Sequence, residues 1–263
     1  MTENKYSKIL VLGAGPVVIG SSSEYDYSAV SVCRALKEEG ISVVSVNSNP
    51  DTIMTDKNVA DTVYIEPLNG ETVKKIIEKE IPDAIIGTTG GEAGLEICLE
   101  LLQNGYLDEH GTKLLGIKPE TIKAIRNEQA LRDTLENVGE PYVSAKVLPT
   151  DAECVTFAGE IGFPVLISPA FTPDFSEPIR CENADDILSG FGSCAERSLV
   201  NEVYVRKCVD DYKEVEFVAM RDSFGNCISV SSTENIDSVG IHSGDSIVVI
   251  PAQTLTDLSL IHI

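Results

Sequence analysis

The sequence predicts an α/β chain in two parts: a parallel sheet flanked by helices, then an α+β region with antiparallel strands. Three observations predict it. Short, nearly continuous apolar runs alternate with helical patterns through the first half, as strands buried on both faces and their crossover helices do. Beyond residue 127 the texture changes to strand-like runs joined by turn residues. The chain has 263 residues, 43% of them hydrophobic, which suits one large domain or two ordinary ones with a real core.

The elements follow in order. "KILVLG" (8–13) is a strand ending in glycine, and "YSAVSVCRALKEEG" (27–40) carries apolar residues at helical spacing with a glycine stop. "ISVVSVN" (41–47) and "TVYIE" (62–66) are strands, "ETVKKIIEKE" (71–80) a helix with a charged, solvated face. "DAIIGTT" (83–89) is a strand and "AGLEICLELLQNG" (93–105) a helix. "LLGIKPETIKAI" (114–125) gives a last short strand and a helix with proline in its first turn. In the second part "EQALRDTLENVG" (128–139) and "AECVTFAGEIG" (152–162) are helices, "VSAKVL" (143–148) and "FPVLISP" (163–169) strands. "NEVYVRKCV", "KEVEFVAMRD" and "NCISVSSTEN" are further strands, with "DSFGN" as a turn between the last two. The domain boundary falls near Asn127, dividing the chain into 1–126 and 127–257, with 258–263 set apart below.

Composition narrows function. Lys+Arg 20 against Asp+Glu 42 gives a formal charge of −22, which repels phosphate backbones and anionic lipid. Nucleic acid and membrane are therefore excluded as main partners, while a small anionic ligand needs only a local cluster of donors. The seven cysteines show no CxxC pair and no framework spacing, and "MTENKYSK" has no apolar leader segment, so the reading is reduced thiols in a cytoplasm. Cys33 and Cys98 fall on helix core faces and are expected to pack rather than react.

Gly13, Gly15 and Gly20 give G-x-G-x-x-x-x-G after the first strand, a place where a helix N-terminus can face an anion. Two standard nucleotide turns fail in detail. The dinucleotide fingerprint places its third glycine where Val18 stands and an acid where the second strand ends in Asn47-Ser48-Asn49. Gly15 to Gly20 has Walker spacing, but Ser21 occupies the lysine position. A tight strand–helix turn and a ligand-binding turn both remain open on the glycines alone.

Four stretches carry a family resemblance: "LGAGPVVIGSSSEYDYS" (12–28), "VNSNPDTIMTD" (46–56), "IEPLNGETVKKIIEKEIPDAII" (65–86) and "ENIDSVGIHSGDSIVVIPAQTLTD" (234–257). Together they resemble the N-terminal half of the carbamoyl phosphate synthetase large subunit, in order and nearly without gaps from Lys8 to Asp257. The resemblance implies a Rossmann-like pre-ATP-grasp domain followed by an ATP-grasp domain, incomplete in this chain. It also implies MgATP (or Mn) phosphorylating bicarbonate, ammonia delivered by a glutaminase small subunit, and a place in arginine and pyrimidine biosynthesis. Such chemistry needs cations around the transferring phosphoryl group and carboxylate or amide ligands for the metal.

Carried over residue by residue, the adenine side is kept. Gly240, Ile241, His242 and Val209 match ATP positions, and Glu214 matches the acid that holds the ribose hydroxyls. Without the family, Glu214 and Glu216 read as one solvated strand face, and His242 as a loop histidine. The phosphate side departs. Glu128 stands where the resemblance implies an arginine, Ser168 replaces another arginine, and Lys207 replaces an acid. Asp174 and Phe175 take the key glycine places in the flap 171–180, with Pro178 nearby. Glu92 and Glu96 replace a glutamine and an asparagine beside Gly90 and Gly91. Each lost charged contact costs about 1.5–3 kcal/mol of anion stabilisation. The alternative moves phosphate binding onto Arg180, Arg206 or Lys207.

No catalytic residue is assigned from the sequence, and no metal ligands, because the segment with Glu and Asn-Pro that the resemblance implies does not occur in these 263 residues. "LSLIHI" (258–263) resembles the translation of a sequencing adapter, so the natural chain is expected to continue past Asp257. Three function classes follow: a part of a synthetase of the ATP-grasp class, a catalytically silent paralogue acting as a binding or regulatory module, or an ATP-grasp ligase with another carboxylate substrate.

Overall fold

The computed structural model describes residues 6–17, 23–126, 128–170, 178–198, 200–210, 212–222, 224–241 and 245–256. The chain folds as two compact units, Met1–Asn127 and Glu128–Ile263. Gly20, Ser21, Asp174, Phe175, His242 and the tail 258–263 lie outside the described residues.

The first unit runs β1 (Lys8–Leu12), α1 (Ser23–Glu38), β2 (Ser42–Asn47), β3 (Thr62–Ile65), α2 (Gly70–Glu80), β4 (Ala84–Ile86), α3 (Gly91–Gln103), α4 (Tyr106–Glu109), β5 (Lys113–Leu115) and α5 (Pro119–Arg126). The five strands form one parallel sheet in the order β3-β2-β1-β4-β5. Successive β1 side chains point to opposite faces. Leu10 and Leu12 pack with Val44, Val46 and Ile85 against Val73, Ile76 and Ile77 of α2 and Ile97, Cys98 and Leu101 of α3. Ile9 and Val11 join Ala29, Val30 and Cys33 of α1 on the other face. Both cysteines are fully buried, and burial pushes the Cys33 thiol up to about 11 and the Cys98 thiol to about 12. They are packing residues.

Local chemistry sets the ends of these elements. Asn69 caps α2, its side chain accepting from Thr72 N at 2.9 Å. Helix α1 begins a turn before the periodicity suggests, and Asp26 in that extra turn accepts from Ile53 N and Met54 N at 3.0 and 3.2 Å. The opening glycines have a packing reason. A Cβ at Gly13 would stand 2.4 Å from Asn47 Nδ2, and one at Gly90 would stand 2.9 Å from the Gly13 carbonyl oxygen. The turns after β1 and β4 therefore lie against each other at the point where the strand order reverses.

The second unit runs α6 (Glu128–Val138), β6 (Ala145–Leu148), α7 (Asp151–Ile161), β7 (Val165–Pro169), β8 (Ile179–Cys181), α8 (Ala184–Arg197), β9 (Val203–Lys207), β10 (Val215–Arg221), β11 (Cys227–Asn235) and β12 (Val248–Val249). It holds an antiparallel sheet ordered β6-β9-β7-β8 and a three-stranded sheet β10-β11-β12. Helices α7 and α8 cover one face of the first sheet, burying Cys154, Ala158, Ile187 and Cys194 against Val165, Ile167, Val203 and Val205. Helix α8 is not read from the sequence. Ser189, Gly190, Gly192 and Ser193 give it weak helix propensity, and its buried stripe on the sheet overrides them. Strand β8 is also new, and it puts Arg180 on a strand rather than in a flap. Of the seven cysteines six are buried and only Cys227, on β11, is exposed.

Glu234 of β11, 3% exposed, ties the strand to the segment beyond β12. Its carboxylate accepts from Gln253 N and Thr254 N, both at 2.8 Å, and from the Thr254 hydroxyl. The Thr254 contacts above all hold this carboxyl below the ordinary carboxylate range.

Two outcomes follow. A Cβ at Gly94 would come within 2.4 Å of the Gly87 carbonyl oxygen, so Gly94→Ala is expected to destabilise the first unit by about 1–3 kcal/mol, seen as a lower urea midpoint. Because the Glu234 pKa is depressed on folding, its contribution is complete above the ordinary carboxylate range. It is lost as pH falls through the depressed folded value. Amide protection factors of Gln253 and Thr254 should fall together in that acid range and be low at neutral pH in Glu234→Gln.

Candidate functional site

Strand β9 works in two directions. Val203 and Val205 enter the helix-covered core, so Tyr204 and Arg206 lie on the opposite face of the sheet. On β7 the same parity sends Val165 and Ile167 inward and leaves Leu166 and Ser168 with Tyr204 and Arg206. The register sets Ser168 opposite Tyr204 and places Leu166 between Arg206 and Arg180.

On this face the second unit encloses a cavity of about 380 Å³. Val143, Leu166, Val209 and Val239 give it apolar walls, and Tyr204, Arg206, Lys207, Asp210, Glu214 and Gly240 complete the lining. Apolar walls with convergent polar and charged groups are a usual form of a small-molecule site.

Five residues singled out in the sequence thus meet: Val209, Glu214, Gly240, Arg206 and Lys207. Glu214 stands just before β10, and the paired strand β11 fixes it. Its carbonyl accepts from Asn235 N at 3.0 Å and its carboxylate from Asn235 Nδ2 at 3.3 Å. The Asn235 Oδ1 is buried without a hydrogen-bond partner among the described residues. Gly240 has φ +83°, a left-handed turn that suits glycine, and Ile241 follows it half exposed, its N–H bonded to Ser238 O. Ile241 and Ser168 are not part of the cavity lining. Glu128 is the first residue of α6.

The cations differ in what they already hold. Arg180 pairs with Glu182 at 2.7 Å and with Asp210, and donates to Cys208 Sγ at 3.2 Å. The Glu182 carboxylate, above all, raises its pKa. Lys207 gives its ammonium to the Gly162 and Phe163 carbonyls at 2.8 and 3.4 Å, at the C-terminal end of α7, where a helix dipole favours a cation. Arg206 is exposed and forms no ion pair among the described residues. Sequence reasoning missed Val143, Leu166, Tyr204, Asp210 and Val239; strand parity on β7 and β9 was the signal available for Leu166 and Tyr204.

Among the described residues no three His, Cys, Asp or Glu side chains gather where they could hold one metal ion. No helix among them is long and apolar enough to cross a membrane.

Comparison with known proteins gives a consistent answer. Residues 5–124 match the carbamoyl phosphate synthase preATP-grasp domain, and residues 127–262 match the ATP binding domain of the carbamoyl-phosphate synthase L chain. The carbamoyl phosphate synthase large chain of Agathobacter rectalis is 48% identical over 254 residues, which is 97% of this chain and 24% of that protein. That of Lachnoclostridium phytofermentans is 47% identical over the same shares, 97% and 24%. The chain therefore spans 24% of the length of these relatives. Among solved structures, the biotin carboxylase domain of Hydrogenobacter thermophilus 2-oxoglutarate carboxylase matches with TM-score 0.75 at 19% identity, over 98% of this chain and 56% of that one. Campylobacter jejuni biotin carboxylase matches with TM-score 0.74 at 20% identity, over 97% and 56%. At such identity the likeness is one of fold. With both of its parts matched in order, the chain belongs to the carbamoyl phosphate synthase large-chain family.

Proposed function

We propose that the cavity of the second unit takes the nucleoside of ATP, in a cytoplasmic protein whose full activity is carbamoyl phosphate synthesis. In that activity ATP phosphorylates bicarbonate and ammonia from a glutaminase subunit displaces the phosphate, giving carbamate. One observation carries the reading: Val209 and Glu214, close together in the chain, and the distant Gly240 line one cavity. Apolar walls suit a purine ring, and Glu214 supplies acceptors for two ribose hydroxyls.

The described residues do not fit a protein-held Mg²⁺ or Mn²⁺. Asp210 is already held by Arg180, and Glu214 stands without a second free carboxylate among the described cavity residues. Metal ligands are accordingly assigned to no residue of this chain. The role of the chain's own groups is to bind and orient: walls exclude water from the base and Glu214 fixes the sugar.

A second reading is favoured by Ser168, which leaves no cation at its place on β7. On that reading the chain binds nucleotide without phosphoryl transfer and serves as a regulatory module. Calorimetric titration with MgATP tests the first claim. Binding is expected, and Glu214→Ala should weaken it about tenfold or more, the loss of charged hydrogen bonds. Unchanged affinity in that variant would remove Glu214 from the site. Bicarbonate-dependent release of ADP, measured on a chain completed past Asp257, separates the two readings: turnover supports the synthetase, and binding without turnover the silent module.

A further inference from the structure

We infer that Arg206 is the cation that takes the anionic end of the nucleotide in this cavity, in place of the guanidinium that the family pattern puts at position 168. The inference rests on the cavity being a nucleotide site.

Three cations lie on this face or at its edge, and the structure separates them. Arg180 is engaged by the carboxylates of Glu182 and Asp210. Lys207 is engaged by two backbone carbonyls at the end of α7. Arg206 lines the cavity, forms no ion pair among the described residues, and stands beside the apolar Leu166 across the strand pair. A guanidinium lining a cavity pairs, often bidentately, with a phosphate.

Position agrees. Ser168 is paired with Tyr204, and Arg206 is two residues further along β9 on the same face. Diagonal neighbours of this kind are about 7–8 Å apart, within the span of a long side chain. Arg206 thus reaches the space that an arginine at 168 would serve, from the neighbouring strand.

Chemistry agrees as well. Glu214 only accepts hydrogen bonds and Arg206 only donates them. With Asp210 neutralised by Arg180, the cavity presents, among the described residues, one free carboxylate and one free guanidinium. A ligand that suits both carries hydroxyl donors at one end and an anion at the other, as a ribonucleotide does and a nucleoside does not.

The test compares adenosine with ADP, both without divalent cation, by calorimetry on the wild-type chain, Arg206→Ala and Arg206→Lys. Wild type is expected to prefer ADP by about tenfold or more, in line with charge-assisted hydrogen bonds. In Arg206→Ala the ADP-to-adenosine ratio should collapse towards one while adenosine affinity is kept, and Arg206→Lys should retain part of the preference. Retained adenosine binding also reports that the variant is folded, and circular dichroism melts check it independently. An unchanged ratio in Arg206→Ala, or equal affinities in wild type, overturns the assignment of Arg206 and leaves the nucleoside site standing. Failure of wild type to bind either ligand overturns both.

Discussion

The second unit depends on the two-residue period of β9. One strand supplies Val203 and Val205 to the core beneath α7 and α8, and Tyr204 and Arg206 to the cavity on the other side. The two sets are locked together, since a slip of one residue would exchange them. Cavity geometry is therefore inherited from core packing. The pairing with β7 carries the same constraint outward, because Ile167 is fully buried while its neighbours Leu166 and Ser168 face away from the core.

The first unit solves a different problem. Its sheet is buried on both faces, so the backbone turns at the ends of β1 and β4 must pass close to each other. Gly90 lets them do so, and Thr89 Oγ1 donates to the Leu12 carbonyl at 2.8 Å across the same junction. Of the glycines that invite a nucleotide reading, Gly13 leaves room for the Asn47 and Met54 side chains packed against it and Gly15 adopts a positive φ; Gly20 lies outside the described residues.

Legibility followed the range of the forces involved. The parallel sheet was readable because runs such as "KILVLG" and "ISVVSVN" report burial on both faces directly. Helix α2 was readable because Asn69 and the spacing of Val73, Ile76 and Ile77 act within a few residues. Helix α8 was not, because its stability comes from packing on β7 and β8 rather than from its own glycine- and serine-rich sequence. The start of α1 was hidden for a similar reason, since Asp26 meets backbone groups 27 and 28 positions away. In the site, family likeness pointed to Val209, Glu214 and Gly240. What it could not supply was which cation is free. That depends on pairings such as Arg180 with Asp210 and Lys207 with Gly162, which join distant parts of the chain.

The burial of the cysteines has a practical side. Six thiols are enclosed and Cys227 alone is open, on the outer end of the β10–β11 hairpin. A thiol-directed fluorophore would therefore attach at one place without mutagenesis. That place shares a strand with Asn235, which donates to the cavity residue Glu214. The molecule carries its own address for a single reporter on the strand that holds the site together.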